Sequence, residues 1–273
     1  MDFKVLLRAI RYGELPIHNI KHLYTSKPQK NSKIPNTVYQ TWVDNFVGKT
    51  HLKGIERFRE LNKDFSFSFF TDNEIEKFMK AHFYSHPIYE IFSNSLYGPL
   101  KTDIWRYCVL FINGGWYFDI NKCVEIPLNA LISDNEEAII TFEKNAIGHI
   151  DDEAPNDAVM KLLRHPNARI VNWGFGFVPC HPILKRVIDN IVTDYPLWKN
   201  KVVENVKDAV LLFTGPLMLT RTIWEIAEDM PLVSFKQAGI DFNGHGNCNM
   251  TNSWSRYIKS RSYQHEKNKI IVI

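Results

Sequence analysis

The chain has 273 residues, 45% hydrophobic and 23% charged, which is enough apolar material for one large α/β domain or two small ones and excludes disorder and fibre. Lys+Arg 33 against Asp+Glu 30 leaves a formal charge of +3, too weak a field for a dedicated nucleic-acid binder. The 4 cysteines, Cys108, Cys123, Cys180 and Cys248, include no close pair; they form neither a disulfide framework nor a zinc set and read as buried or incidental thiols of a reducing compartment.

No apolar run reaches the roughly 18–20 residues that span a bilayer, and no apolar core followed by a small-residue cleavage site opens the chain, so a soluble, cytoplasmic protein is expected. Residues 2–12 place Phe3, Leu6, Leu7 and Ile10 on one helical face and stop at Gly13, which suits a C-cap. That face reads as packed. The alternative is a weak membrane-surface contact, with Lys4, Arg8 and Arg11 opposite it. A polar, turn-rich stretch over 27–33 follows, so the expected organisation is an N-terminal helical extension, 1–33, and one domain, 34–273.

Residues 34–42 read as a strand entered through a proline, 51–61 as a helix, and 65–70 alternate aromatic and serine as a strand does. Thr71 and Glu74 form a capping box opening the next helix. A long helix over 99–112, ended by Asn113-Gly114-Gly115, leads to a short strand over 116–119. Strands are expected at 138–142, 170–178, 232–235 and 269–273. Helices are expected at 181–192 and 214–227, the last with Thr214 as N-cap and Pro216 in its first turn. Residues 239–255, rich in Gly and Asn, read as a long loop of the kind that closes over a site. This order predicts an α/β protein with helices flanking a sheet.

Chemistry concentrates in 101–121, KTDIWRYCVLFINGGWYFDIN. Asp103 and Arg106, three apart, share a helix face, which by itself describes an ordinary salt bridge. The double glycine permits a sharp turn and close approach of a ligand. On an extended chain Asp119 and Asn121 would point the same way and offer oxygens to one hard cation. The acidic run Asp151, Asp152, Glu153 and Asp157 reads as a solvated loop. Trp173 and Phe175 either stack on an acceptor ring or belong to the core.

The stretch Thr102-Asp103, Arg106, Leu110, Gly114-Gly115, Tyr117, Asp119 and Asn121 resembles the pattern S/T-D-x-x-R-y-x-x-L-x-x-x-G-G-x-Y-x-D-x-D of the DXD sugar-transferase family. That family, family 32 of the glycosyltransferases, includes yeast outer-chain mannosyltransferases, bacterial capsular sugar transferases and, distantly, the clostridial glucosylating toxins. IPNTVYQTW, FFTDNEIEKF, NWGFGFVPCHPIL, FTGPLMLT and NSWS are similar to further family segments in the same order, so the resemblance covers most of the chain from Ile34 onward.

The resemblance implies a GT-A type fold, Rossmann-like with a mostly parallel mixed sheet, and retaining transfer from a nucleotide-diphospho-sugar, UDP-linked by preference, to a glycan acceptor. It implies that Gln40, Thr41 and Trp42 line the base and ribose pocket, that Asp103 and Arg106 hold sugar hydroxyls, that Tyr117 supports the site, and that Asn172 brings an amide toward the sugar. Asp119 and Asn121 would hold ribose and a Mn²⁺ or Mg²⁺ ion, and Ser253 and Trp254 would close over the diphosphate. Two departures stand out. The second motif carboxylate is Asn121, which removes a full negative charge from a cation's shell. The family's histidine five residues before the C-terminal tryptophan is Asn249 here, with His245 as either its substitute or a solvated loop side chain. The rival expectations are a binding protein that has lost turnover and a nucleotide-sugar hydrolase.

Overall fold

Alternation of large apolar residues with glycine and polar residues lets the central strands bury both faces. The computed structural model describes residues 6–7, 10–25, 32–132, 135–143, 169–230, 232–248 and 263–273. The strands are β1 (His18–Asn19), β2 (Thr37–Trp42), β3 (Phe46–Val47), β4 (Ser66–Thr71), β5 (Gly115–Phe118), β6 (Lys122–Val124), β7 (Ala138–Phe142), β8 (Gly174–Phe177), β9 (Val202–Asn205), β10 (Lys236–Ile240), β11 (Gly246–Cys248) and β12 (Lys267–Ile270). The helices are α1 (Lys49–Leu61), α2 (Asp72–Phe83), α3 (Pro87–Asn94), α4 (Gly98–Asn113), α5 (Pro182–Trp198), α6 (Val206–Phe213) and α7 (Pro216–Asp229).

Among the described residues six strands form the main sheet, in the order β10-β7-β8-β5-β2-β4. β8 runs antiparallel to both neighbours, β5 and β7, and the other pairings are parallel. The result is a mostly parallel mixed α/β sheet, as expected. In β5, Trp116 and Phe118 face one core, with Phe58, Phe67 and Phe242, while Tyr117 faces the other, with Trp105, Tyr107 and Phe175. The glycines of β8 make this possible, because a Cβ at Gly174 or Gly176 would lie 2.8 Å from the ring of Phe118 or Trp116. Phe175 is core on the Tyr117 side, and Trp173 lies at the margin of the opposite core, that of Trp116 and Phe118.

The capping box forms as expected: Thr71 Oγ1 accepts from the Glu74 amide, and Glu74 Oε2 accepts from the Thr71 amide at 2.7 Å. α4 is buried continuously from Ile104 to Leu110 as well as at Asp103, so it is a central helix with no solvent face there. It ends at Gly114, φ 63°, where a Cβ would lie 2.6 Å from Pro179 Cδ; at Gly115, φ 97°, a Cβ would lie 2.6 Å from the Thr37 carbonyl oxygen.

Several expectations are corrected. The strand placed at 232–235 is β10, Lys236–Ile240, because parallel pairing with β7 sets the register and leaves Leu232 97% exposed. The loop expected over 239–255 contains the end of β10 and β11, the latter paired antiparallel with β6, and 249–255 lie outside the described residues. α7 is capped by Gly215, not Thr214, whose hydroxyl bonds a buried carboxylate instead. α5 runs on past 192 to Trp198, and α3, α6 and β9 were not anticipated. Residues 6–7 and 10–11 are helical and Gly13 has φ 66°, yet Leu7 and Ile10 are half exposed, so the packed face expected there is not closed among the described residues. Beyond Gly13 the extension does pack: β1 pairs with β3, and buried Glu14 accepts from the Thr50 amide at 3.1 Å. The stretch Val206–Asp229 is long and apolar enough to cross a membrane by composition, but 67% of its most apolar window is buried and Thr214–Gly215 divides it into α6 and α7.

Candidate active site

β2 and β5 are parallel, with Tyr39 level with Tyr117, so the end of β2, Gln40–Trp42, and the end of β5 with the following Asp119 and Ile120 lie at the same carboxyl edge. Ligands of open α/β sheets bind outside that edge. α4 precedes β5 in the chain and returns Asp103 and Arg106 to it. Their side chains are only 8% and 6% exposed, so the salt bridge that the i, i+3 spacing describes is a buried one.

Arg106 joins the site together. Its Nη2 lies 3.3 Å from Asp103 Oδ1 and 3.3 Å from Asp119 Oδ1, Nη1 donates to the Asn172 carbonyl, and the guanidinium carbon sits 4.4 Å from the Tyr117 ring centroid. Asp103 Oδ1 also accepts from Asn172 Nδ2 at 3.1 Å, and Oδ2 accepts from Thr214 Oγ1 at 3.0 Å. Tyr117 donates its hydroxyl to Asp119 Oδ1 at 2.6 Å, and Tyr107 donates to the Thr214 carbonyl at 2.9 Å. Burial pushes the Asp103 carboxyl up to about 6, against the pull of Arg106 and the Thr214 hydroxyl. Burial opposes the Arg106 charge, but Tyr117, Asp119 and Asp103 outweigh it and hold the guanidinium protonated. Burial raises both the Tyr107 and Tyr117 phenols, so each is a neutral donor.

Asp103, Arg106, Tyr117, Asp119 and Asn172 thus form one connected group. Gln40 and Thr41 are buried on the neighbouring strand, with the Thr41 hydroxyl spent on the Phe70 carbonyl at 2.7 Å. Trp42 is half-buried and packs 5.3 Å from the His51 ring, so of these three it presents the most surface. The premise of an extended chain through Asp119 and Asn121 is corrected: β5 stops at Phe118, and Lys122 N donates to the Asp119 carbonyl at 2.8 Å, closing a turn. Asn121 is half-buried in that turn.

His245 does not join the group. Its carbonyl accepts from the Glu125 amide at 2.9 Å and its side chain is exposed, four residues along from Asn121, or roughly 10–13 Å at strand spacing. Asn249, Ser253 and Trp254 lie outside the described residues. Among the described residues no group of three or more His, Cys, Asp or Glu side chains is placed to hold a metal ion. Thr214 was missed as a site residue because its place before Pro216 mimics a helix cap; the signal was that a buried Asp103 needs donors, which only the fold supplies.

Residues 48–138 match the family model described as glycosyltransferase sugar-binding region containing DXD motif. The initiation-specific alpha-1,6-mannosyltransferase of Candida albicans is 26% identical over 219 residues, covering 72% of this chain and 54% of that protein. Inositol phosphoceramide mannosyltransferase 1 of Schizosaccharomyces pombe is 25% identical over 207 residues, covering 72% of this chain and 53% of that protein. The solved PaToxG glycosyltransferase superposes with a TM-score of 0.48 at 16% identity, over 84% of this chain and 77% of that one. The chain spans about half the length of the curated relatives it matches. The matched region contains Asp103 through Asn121, so the part of the chain that carries the candidate site is similar to the DXD-motif sugar-binding region of glycosyltransferases, and the chain at large is similar to these mannosyltransferases.

Proposed function

We propose that this chain, an N-terminal extension over 1–33 on a catalytic domain over 34–273, is a retaining glycosyltransferase. It moves a hexose or related sugar from a nucleotide-diphospho-sugar, UDP-linked by preference, to a hydroxyl of a glycan acceptor. The observation that carries this reading is the connected chain Thr214–Asp103–Arg106–Asp119–Tyr117 at the carboxyl edge of β5, buried except at Asp119, because it fixes two carboxylates and one guanidinium before any ligand arrives. Preorganisation of this kind avoids reorganisation at the moment of reaction. Asp103 and Arg106 hold donor hydroxyls, Tyr117 fixes Asp119, and Asn172 aligns Asp103 with Arg106. Gln40, Thr41 and Trp42 border the nucleoside, and Ser253 and Trp254 close over the diphosphate.

A Mn²⁺ or Mg²⁺ ion would be held through Asp119 and Asn121. Asp119 is one-third exposed, with Oδ1 taken by Tyr117 and Arg106, and Asn121 beside it is neutral. One carboxylate and one amide suit an ion whose remaining ligands are phosphate oxygens. When bound, that ion neutralises charge developing on the departing diphosphate. Both Asp103 oxygens are held by protein donors, which disfavours it as a nucleophile and supports front-face attack by the acceptor. The relatives' names make mannose the first sugar to try. Labelled UDP- and GDP-sugars, with and without glycan acceptors, test the reading. Sugar transferred to an acceptor is the expected result; free sugar alone indicates a hydrolase, and nucleotide binding with neither product indicates a chain that Asn121 has left without turnover.

A further inference from the structure

Asp103, Arg106 and Asp119 together carry one positive and two negative charges. A second motif carboxylate would add another negative charge just where a diphosphate must be received. Here that residue is Asn121, and the next is Lys122. The Asp119–Lys122 turn draws Lys122 into the motif, its amide 2.8 Å from the Asp119 carbonyl. Its ammonium lies 5.0 Å from the centroid of Trp173, whose own carbonyl accepts from the Asp119 amide at 2.8 Å. Lys122 makes no ion pair among the described residues and is half-buried. An aromatic face holds a cation without neutralising it, and a flexible four-carbon stem lets it leave for a phosphate.

We propose that Lys122 binds the donor's diphosphate and supplies charge that a DXD site otherwise takes from its metal, so that this chain grips a nucleoside diphosphate without a divalent cation. The inference rests on the donor-site reading above. Asn121 and Lys122 work in one direction: the first lowers the demand for a cation and the second provides a fixed one. Lysine acts on phosphate as a point charge, so Lys122→Arg should serve and a neutral side chain of similar length should not.

The test is calorimetric titration of UDP and of GDP into the whole chain, in EDTA and in Mn²⁺, for wild type, Lys122→Met, Lys122→Arg and Asn121→Asp. Wild type should bind one of the nucleotides in EDTA. Lys122→Met should bind it about tenfold or more weakly in EDTA, as expected for removing one close unit charge, and recover most of the loss in Mn²⁺. Lys122→Arg should retain EDTA binding, and Asn121→Asp should shift binding toward dependence on Mn²⁺. An unchanged melting temperature in Lys122→Met, whose side chain still covers Trp173, separates lost charge from lost fold. Equal EDTA affinity in wild type and Lys122→Met overturns the proposal, as does wild-type binding in Mn²⁺ alone. Binding of neither nucleotide in either condition overturns the donor site itself and this assignment with it.

Discussion

Asp103 gives Oδ1 to Asn172 and Arg106 and Oδ2 to Thr214, and those engagements determine what its loss should do. An exposed i, i+3 pair is worth about 0.2–1 kcal/mol, and removing one partner would scarcely move the melting temperature. This pair is buried, and removing one partner leaves an uncompensated charge. Asp103→Ala should therefore destabilise the fold by about 3–5 kcal/mol in denaturant melts, while Asp103→Asn, which keeps volume and part of the hydrogen bonding, costs less and still loses turnover. The carboxyl's raised value, about 6, sets a pH signature. Between roughly pH 4 and pH 6 the folded state holds a proton that the unfolded state has released, so stability from this group is full below about pH 4 and falls as pH rises to about 6. Asp103→Asn should lack that slope, and wild-type kcat/KM should fall below about pH 6 as the carboxylate is neutralised. Thr214 acts through Asp103: Thr214→Val should cut kcat/KM about tenfold by removing a buried donor, and Thr214→Ser should restore it.

At the scale of elements, the site depends on one junction, α4 into β5. Gly115 sits at φ 97° with the Thr37 carbonyl against the position of a Cβ, so two penalties coincide, a left-handed backbone and a collision with an adjacent strand. Gly115→Ala should cost about 3 kcal/mol or more, seen in chemical unfolding, and should lower turnover even where the fold survives, because the same junction sets the distance from Asp103 to Asp119. The pairing of β11 with β6 matters in a similar way. Cys248 stands opposite Lys122, so β11 ends beside the motif turn, whereas His245 stays at the far end of the ribbon.

At the scale of the molecule, the two largest apolar cores press on opposite faces of one sheet, and the polar group lies at the carboxyl edge of β5, the strand that lends side chains to both of them. A ligand at that edge binds the folded state alone. A nucleoside diphosphate at about 100 times its Kd should therefore stabilise the chain by about 2.7 kcal/mol, and thermal shift across UDP- and GDP-sugars checks this. Hydrogen exchange should slow in the Asp119–Lys122 turn and in β11 when nucleotide is added. Equal protection with and without nucleotide would remove the closing role proposed for Ser253 and Trp254.

What the sequence determined by itself was local or followed from a pattern resemblance. The capping box needs only Thr71 and Glu74, the stop at Gly114 needs only the end of α4, and the 101–121 pattern with five further segments in order pointed to a resemblance to the sugar-transferase family and to Asp103, Arg106, Tyr117, Asp119 and Asn172 as candidates. The tertiary structure decided everything that depends on what lies across the chain. Burial of Asp103 and Arg106 comes from the single large core that takes in α4 from Ile104 to Leu110, which an i, i+3 spacing does not reveal. Thr214 is a partner of Asp103 across 111 residues of chain, although locally it looks like a cap. The edge strand β10 lies where β7 fixes its register, not where the apolar run 232–235 falls, because exposed hydrophobic residues satisfy no ladder. Lys122 reads in sequence as one charge among 33 cations; only the turn beneath it and the Trp173 ring beside it give that charge an address.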